Sequence, residues 1–292
     1  MIYVSSSCVR QRYIVKVIEI LAKNGVCNIE LSGGTEYYED LIRDLGFLKQ
    51  TYGLDYACHA YFPPPKVPFV VNLASCNDYI YKRSVEHYVQ CIDMLKSMDI
   101  RTLSIHSGFL VEIGTQDIGG RLNRRVVYDE GEAYDRFYSA YERIRHLCIQ
   151  NGIRLFLENN VLSADNYTEF GGHNYMMMTD YESIMRMKET LDFDLLLDLG
   201  HLHVSANTLK LNYGEECRKL QSHVRWIHIS ENNGLSDEHK PLTEESEIFR
   251  MFLELYHPRL NVTLETNGDV GEILAGIEMV KKHTLYLTEE QR

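Results

Sequence analysis

The chain has 292 residues, of which 45% are hydrophobic and 25% charged, a composition that easily builds a core of useful size. Its net charge of −12, with no basic cluster longer than the Arg-Leu-Asn-Arg-Arg run at 121–125, argues against nucleic acid as the partner. No apolar stretch approaches the roughly 20 residues of a membrane span.

Seven cysteines, at 8, 27, 58, 76, 91, 148 and 217, show no Cys-x-x-Cys spacing. Their odd number suggests reduced thiols and a cytoplasmic protein. Length alone suggests about two domains, although α/β barrels of roughly 250 residues are exceptions, so the pattern of elements has to decide.

In chain order, strand-like segments fall at 2–7, 28–32, 55–60, 102–107, 154–159, 194–199, 225–230 and 261–266. Between and after them lie amphipathic stretches at 11–23, 37–51, 84–98, 132–151, 179–191, 213–222, 244–255 and 270–282. Val85, Val89, Ile92 and Leu95 recur at helical spacing. Gly25, Gly53 and Gly152 each follow a helical stretch and suit left-handed helix ends. Eight strands alternating with helices imply parallel pairing through βαβ crossovers. The fold expected is a single (β/α)8 TIM barrel spanning residues 1–292.

Five segments end alike: an apolar run delivers a metal-binding side chain and then breaks into Gly, Ser, Asn or Asp. They carry His106, Glu158, Asp198 with His201, His228, and Glu265. Strand side chains alternate between faces, so Arg154, Phe156 and Glu158 share one face, as do Asp194, Leu196 and Asp198, and Thr263 and Glu265. Each acid thus opposes an aliphatic row that can pack on helices, while the carboxylates point to a common interior. Trp226 shares parity with His228 and is expected inside the barrel, one layer below it. In a TIM barrel, strand C-terminal ends form the catalytic mouth. The long connections 62–77, 108–131 and 160–178 all follow strands and read as mouth loops.

A single His or Glu at a strand end is more often a hydrogen-bonded structural group. Three carboxylates confined together repel unless a cation or protons intervene, so Glu158, Asp198, His228 and Glu265 are expected to hold a divalent metal: Mn, Mg, Co or Zn. His59, His106, His201, Asp237 and His239 form a second tier that would bind further metal or substrate. His87, His146, His223, His257 and His283 are expected on helix surfaces, and His173, His203 and Glu30 carry no assignment. Tyr61, Tyr79, Tyr128, Tyr167 and Tyr175 fall in mouth loops, where stacking on a sugar competes with ordinary packing.

Over nearly its whole length the chain resembles the xylose-isomerase-like TIM barrels, which include sugar isomerases and epimerases, inosose and dehydroshikimate dehydratases, and endonuclease IV. Leu-Glu-Asn-Asn, Asp-Leu-Gly-His, His-Ile-Ser and Leu-Glu-Thr resemble the ends of that family's strands five to eight. The resemblance implies that Glu158, Asp198, His228 and Glu265 form its shared metal site.

Two branches compete. The segment 59–75 followed by Ile-His-Ser-Gly resembles endonuclease IV, and His59, His106, His201, Asp237 and His239 complete that enzyme's nine ligand positions for three zinc ions. The segments around 175–187 and 228–242 look more like sugar phosphate isomerases and epimerases. The endonuclease's Gly-rich stretch after the strand-five Glu is replaced by residues 159–165, and Ser-Glu-Asn-Asn-Gly stands where ketose epimerases carry an Arg.

The reading adopted is a metal-dependent isomerase or epimerase of a sugar, sugar phosphate or cyclitol, working through an enediolate. Glu158 and Glu265 would exchange the proton and His201 would orient or carry it, with one ion held per chain. A trinuclear zinc phosphodiesterase, a related dehydratase and a barrel that merely binds sugar are the alternatives. Partners expected are a small sugar or sugar phosphate, with no membrane, while a homo-oligomer is left open.

Overall fold

The computed structural model describes residues 1–117, 120–122 and 126–290, with side chains through residue 285. Eight parallel strands close on themselves in sequence order, β1 (Ile2–Ser5), β2 (Asn28–Leu31), β3 (Asp55–His59), β4 (Thr102–His106), β5 (Arg154–Glu158), β6 (Asp194–Asp198), β7 (Val224–Ile229) and β8 (Asn261–Leu264). The ring is sealed by β1 against β8, where Ile2 pairs with Val262 and Val4 with Leu264. All eight expected strands are present, so the chain forms a (β/α)8 barrel.

Strand parity sorts the side chains as the alternation required. Leu155, Leu157, Leu195, Leu197, Ile227, Ile229, Val262 and Leu264 point outward into the core shared with the helices. Each such burial stabilises by roughly 1.5–3 kcal/mol. Tyr3, Ala57, Phe156, Leu196 and Trp226 fill the barrel interior as a separate buried layer, and the Trp226 Nε1 donates to Thr263 Oγ1 at 2.9 Å. This layer is the floor of the mouth.

The helices depart from expectation in several places, with the last helix running Val270–Glu290 and so past the expected end at 282. The helix expected at 84–98 starts earlier and runs Asp78–Ser97, because the Asn77 side chain accepts hydrogen bonds from the amides of Tyr79 and Ile80. Tyr79 is therefore a helical residue and not a loop one. A helix Leu199–Leu209 follows β6 directly. Leu199, His201, Leu202, Val204, Ser205 and Ala206 are all buried and only Asn207 is exposed, so the polar stripe is too narrow to give an amphipathic period. A short helix, Ala164–Glu169, interrupts the loop after β5.

The loops after β3, β4 and β5, at the mouth end of the barrel, pack on one another through Val70, Phe109, Val111, Leu122 and Phe170. Antiparallel bridges join Phe109 to Met176 and Val111 to Val127. Residues 123–125 of the basic run lie outside the described residues, and Arg121 pairs with Glu169. The seven cysteines are free, and no helix of the described residues is long and apolar enough to cross a membrane.

Candidate metal centre

Glu158, Asp198 and His228 end or nearly end β5, β6 and β7, and all three are fully buried. Glu265 lies one residue beyond β8, where its amide continues the ladder by donating to Ile229 O at 3.1 Å. The side chains converge: His228 Nδ1 is 3.3 Å from Glu265 Oε2 and 3.7 Å from Glu158 Oε1. Ligand atoms of Glu158, Asp198 and His228 all lie within 4.8 Å of one another.

The second tier surrounds the first. His59 Nε2 and His106 Nδ1 approach Glu158 Oε2 at 3.4 and 3.5 Å. His201 sits on the first turn of the helix after β6, where Asp198 caps the helix by accepting from the His201 amide at 2.7 Å. Its Nε2 faces Asp237 Oδ2 at 3.3 Å, and His239 Nε2 faces the same oxygen at 2.8 Å. Asp237 and His239 are held there by a loop pinned through reciprocal backbone bonds between Glu231 and Lys240. His239 adopts φ 49°, a left-handed conformation uncommon outside glycine. All nine residues singled out from the sequence thus meet in one mouth.

Gly200 is required by close approach, since a Cβ there would lie 3.1–3.3 Å from Asn232 Nδ2, Asp198 Oδ1 and Ser230 Oγ. It lets the helix start directly on the centre.

Three participants escaped the sequence reading. Glu30 on β2 is buried with its Oε2 2.9 Å from His228 Nε2. Its inward parity between Ile29 and Leu31 is the same signal that exposed Glu158. Ser104 Oγ donates to Glu30 Oε1 at 3.1 Å and meets His59 Nδ1 at 2.8 Å. Asn159 clasps β5 to β6, with Oδ1 accepting from the Asp198 amide and Nδ2 donating to the Asp198 carbonyl, while its own carbonyl meets His201 Nδ1 at 2.9 Å.

Elsewhere the histidines divide. His146 is exposed and His283 pairs with Glu244, as surface residues do, and half-buried His223 closes a short 3-10 turn before β7. His87 contradicts its surface assignment: it is buried with Nε2 lacking a partner, because helix Asp78–Ser97 turns that face onto Phe69 and the core. His257 lies in a turn after helix Glu247–Leu255, not on a helix. His203 bonds to Asn232, and His173 is exposed. Of the tyrosines, Tyr61 faces His106 at 5.7 Å between ring centroids, Tyr128 is buried against Ser75, and Tyr175 packs on Phe170.

Electrostatics split the cluster. Burial pushes the Glu158 carboxyl up to about 8, outweighing His228 and His201, and raises Asp198. Glu265 is held well below the usual carboxylate range, because His228 outweighs the opposing burial. Burial and neighbouring imidazoles push His59 down to about 3 and His106 well below its ordinary value, so both are neutral donors of a lone pair. His201 and His228 are raised because adjacent carboxylates outweigh their burial, and Asp237 likewise lifts His239 to about 9.

Both Glu158 oxygens, Asp198 Oδ2, Asp237 Oδ1 and both His228 nitrogens are buried without a hydrogen-bond partner. A buried polar atom left unsatisfied costs about 1–3 kcal/mol, and more when charged. Such atoms on Glu158, Asp198 and His228, gathered within 4.8 Å of one another, fit a divalent cation, and the oxygen and imidazole donors suit Mn, Mg, Co or Zn.

Barrel and mouth together define an α/β barrel with a candidate carboxylate and imidazole metal centre at its C-terminal end. The chain belongs to the xylose isomerase-like TIM barrel family, whose sequence profile matches residues 16–283. An uncharacterized protein of Methanocaldococcus jannaschii is 23% identical over 265 residues, covering 88% of this chain and 80% of that protein. Among solved structures, a D-tagatose 3-epimerase-like protein superposes with TM-score 0.73 at 19% identity, over 100% of this chain and 99% of the other. Endonuclease IV from Thermus thermophilus superposes with TM-score 0.57 at 14% identity, over 97% of this chain and 98% of the other. At such identities these likenesses speak to the fold alone.

Proposed function

We propose that this chain is a divalent-metal-dependent isomerase or epimerase acting on a small sugar, sugar phosphate or cyclitol. The observation that carries the reading is the placing of Glu158 and Glu265. They reach the centre from strands three apart around the barrel, both are buried, and both face His228 Nδ1. A substrate lying above His228 has a carboxylate on either side.

A bound divalent cation would polarise adjacent substrate oxygens and acidify the C–H between them. Glu158, Asp198, His228 and Glu265 would hold it. Glu265 and Glu158 exchange the substrate proton from opposite sides, and His201, fixed by the Asn159 carbonyl, orients a substrate oxygen. Tyr61 and His106 offer ring and N–H to the substrate at the rim. The loops packed through Phe109, Val111 and Phe170 roof the mouth, which suits a small substrate and keeps water from the proton in transit. The net charge of −12 disfavours a polyanion.

A second reading rests on the outer residues. His59 and His106 gather around Glu158 Oε2, and His201, Asp237 and His239 form a further cluster. In a phosphodiesterase these would hold a second and a third ion. The test is exchange in D2O: a panel of ketoses, ketose phosphates and cyclitol ketones is incubated with metal-loaded protein and followed by proton NMR. Deuterium entering a carbon next to the carbonyl is expected, with one ion per chain by elemental analysis. Cleavage of an abasic-site oligonucleotide, with two or three zinc ions per chain that are lost in His106→Ala or His239→Ala, would overturn the reading.

A further inference from the structure

An imidazole can offer a metal only one nitrogen, and only if the proton sits on the other. Two imidazoles of this centre have their outer nitrogens turned toward one side chain, Glu30. That residue is 1% exposed on β2 and lies outside the ligand set proposed above. A carboxylate buried so deeply is costly unless it has partners.

One arm runs through Ser104. The serine hydroxyl has one hydrogen and two oxygen acceptors in reach, Glu30 Oε1 at 3.1 Å and the Cys58 carbonyl at 3.4 Å; given to the nearer, Glu30, it leaves the serine oxygen to accept from His59 Nδ1–H at 2.8 Å. His59 Nε2 is then bare, and Nε2 is the atom 3.4 Å from Glu158 Oε2. The other arm is direct. His228 Nε2 lies 2.9 Å from Glu30 Oε2, close enough for strong attraction although the two are not aligned as a full hydrogen bond. A carboxylate can only accept, which puts a proton on Nε2; Nδ1, which faces Glu158 and Glu265, is then the nitrogen a metal would take in place of whatever proton it carries.

We infer that Glu30 is a positioning residue that sets the tautomers of His59 and His228 together, so that His228 turns a lone pair to the metal and His59 turns one to the Glu158 carboxyl beside it; the inference rests on the metal-dependent reading above. Groups behind metal-bound histidines typically contribute 10–100-fold in affinity. Glutamine at position 30 supplies one acceptor and one donor where two acceptors are needed. It must therefore present N–H to either Ser104 or His228 and reverse one arm.

The test uses Glu30→Gln and Ser104→Ala with two readouts. Histidine side-chain nitrogen NMR of the metal-free protein reads the tautomers without any ion. Titration of Co2+ or Zn2+ against a chromophoric chelator reads affinity. Wild type should show His59 neutral with its proton on Nδ1, and His228, raised by its carboxylates, keeping a proton on Nε2 at alkaline pH where Nδ1 has lost its own. Glu30→Gln should lose that pattern and bind metal 10–100-fold more weakly, with the metal-free melting temperature no lower than wild type. Ser104→Ala should disturb His59 alone, with a smaller loss, and stands in if Glu30→Gln does not fold.

Unchanged tautomers, or affinity within threefold of wild type, would overturn the inference. So would the loss of one whole ion at unchanged affinity for the rest, because Glu30 would then be a ligand itself. A wild-type protein that binds no metal would sink the metal-dependent reading instead, while the tautomers still judge Glu30.

Discussion

Replacing Glu158 by Gln should stabilise the metal-free protein while blunting its response to metal. Burial pushes the Glu158 carboxyl from its ordinary 4.5 up to about 8. Between those values the folded chain binds a proton that the unfolded chain has released, so stability falls as pH rises from 4.5 to 8. At about 1.4 kcal/mol per pH unit, the deficit at pH 7 is roughly 3 kcal/mol. Glutamine keeps the volume and has no proton to bind. At about 2 °C per kcal/mol for a chain of this size, the metal-free variant should melt roughly 6 °C above wild type at pH 7 and converge with it near pH 4.5.

Metal reverses the order. At a thousandfold excess over its dissociation constant an ion stabilises by about 4 kcal/mol, and the variant, lacking a ligand charge, forfeits most of that gain together with turnover. Calorimetry from pH 4.5 to 7.5, with chelator and with metal, measures both halves. A metal-free variant melting below wild type at pH 7 would refute the reasoning, because the orphaned oxygens of Glu158 would then be well satisfied in the fold.

Trp226 emission should change on chelation, since the indole lies against Tyr3 and Phe156 and is bonded to Thr263, the register partner of His228; superimposable spectra of the two forms would contradict ligation by His228. Burial pushes His87 down to about 4, so folding is fully supported above pH 6.5 and loses roughly 3 kcal/mol as pH falls toward 4. His87→Leu should flatten that acid limb in denaturant titrations, and an unaltered limb would exclude His87 as its source. Gly108→Ala should cost about 1–3 kcal/mol, because the new Cβ would meet Ala74 Cβ at 2.5 Å; a melting temperature within 1 °C of wild type would show that this contact relaxes freely.

Much of the barrel was legible because most strands carry an outward aliphatic row, β3 with Tyr56 and Cys58 being the exception. In β5 to β8 that row isolates the inward acid or imidazole, and a register slip would turn it outward. Helix Leu199–Leu209 was illegible for the opposite reason, being buried around most of its circumference and bonded to the loop after β7 through Asn207 and Asn232. His87 had a readable signal in its spacing with Ser84, Tyr88 and Cys91, all buried, which marks an inward helical face. Glu30 had the parity signal but belongs to a strand whose other inward residue, Asn28, is polar and only half-buried, so nothing separated it from a solvent-facing glutamate.

The two oxygens of Glu158 face different company, and that asymmetry decides what His106 does. Oε1 looks toward His201 and His228, while Oε2 looks toward His59 and His106. A single ion on the Oε1 side leaves the Oε2 side to substrate. His59 has its N–H turned to Ser104, so it is His106, the more exposed of the pair at 24% and with Nδ1 alone toward Glu158, that has Nε2 to spend at the mouth. Under the one-ion reading His106→Ala should therefore raise KM about tenfold, the order of one lost hydrogen bond of 1–1.5 kcal/mol, while the metal content stays at one per chain. If Glu158 instead bridges two ions, the same substitution removes a ligand, and elemental analysis would find one ion fewer per chain with kcat falling and KM little changed.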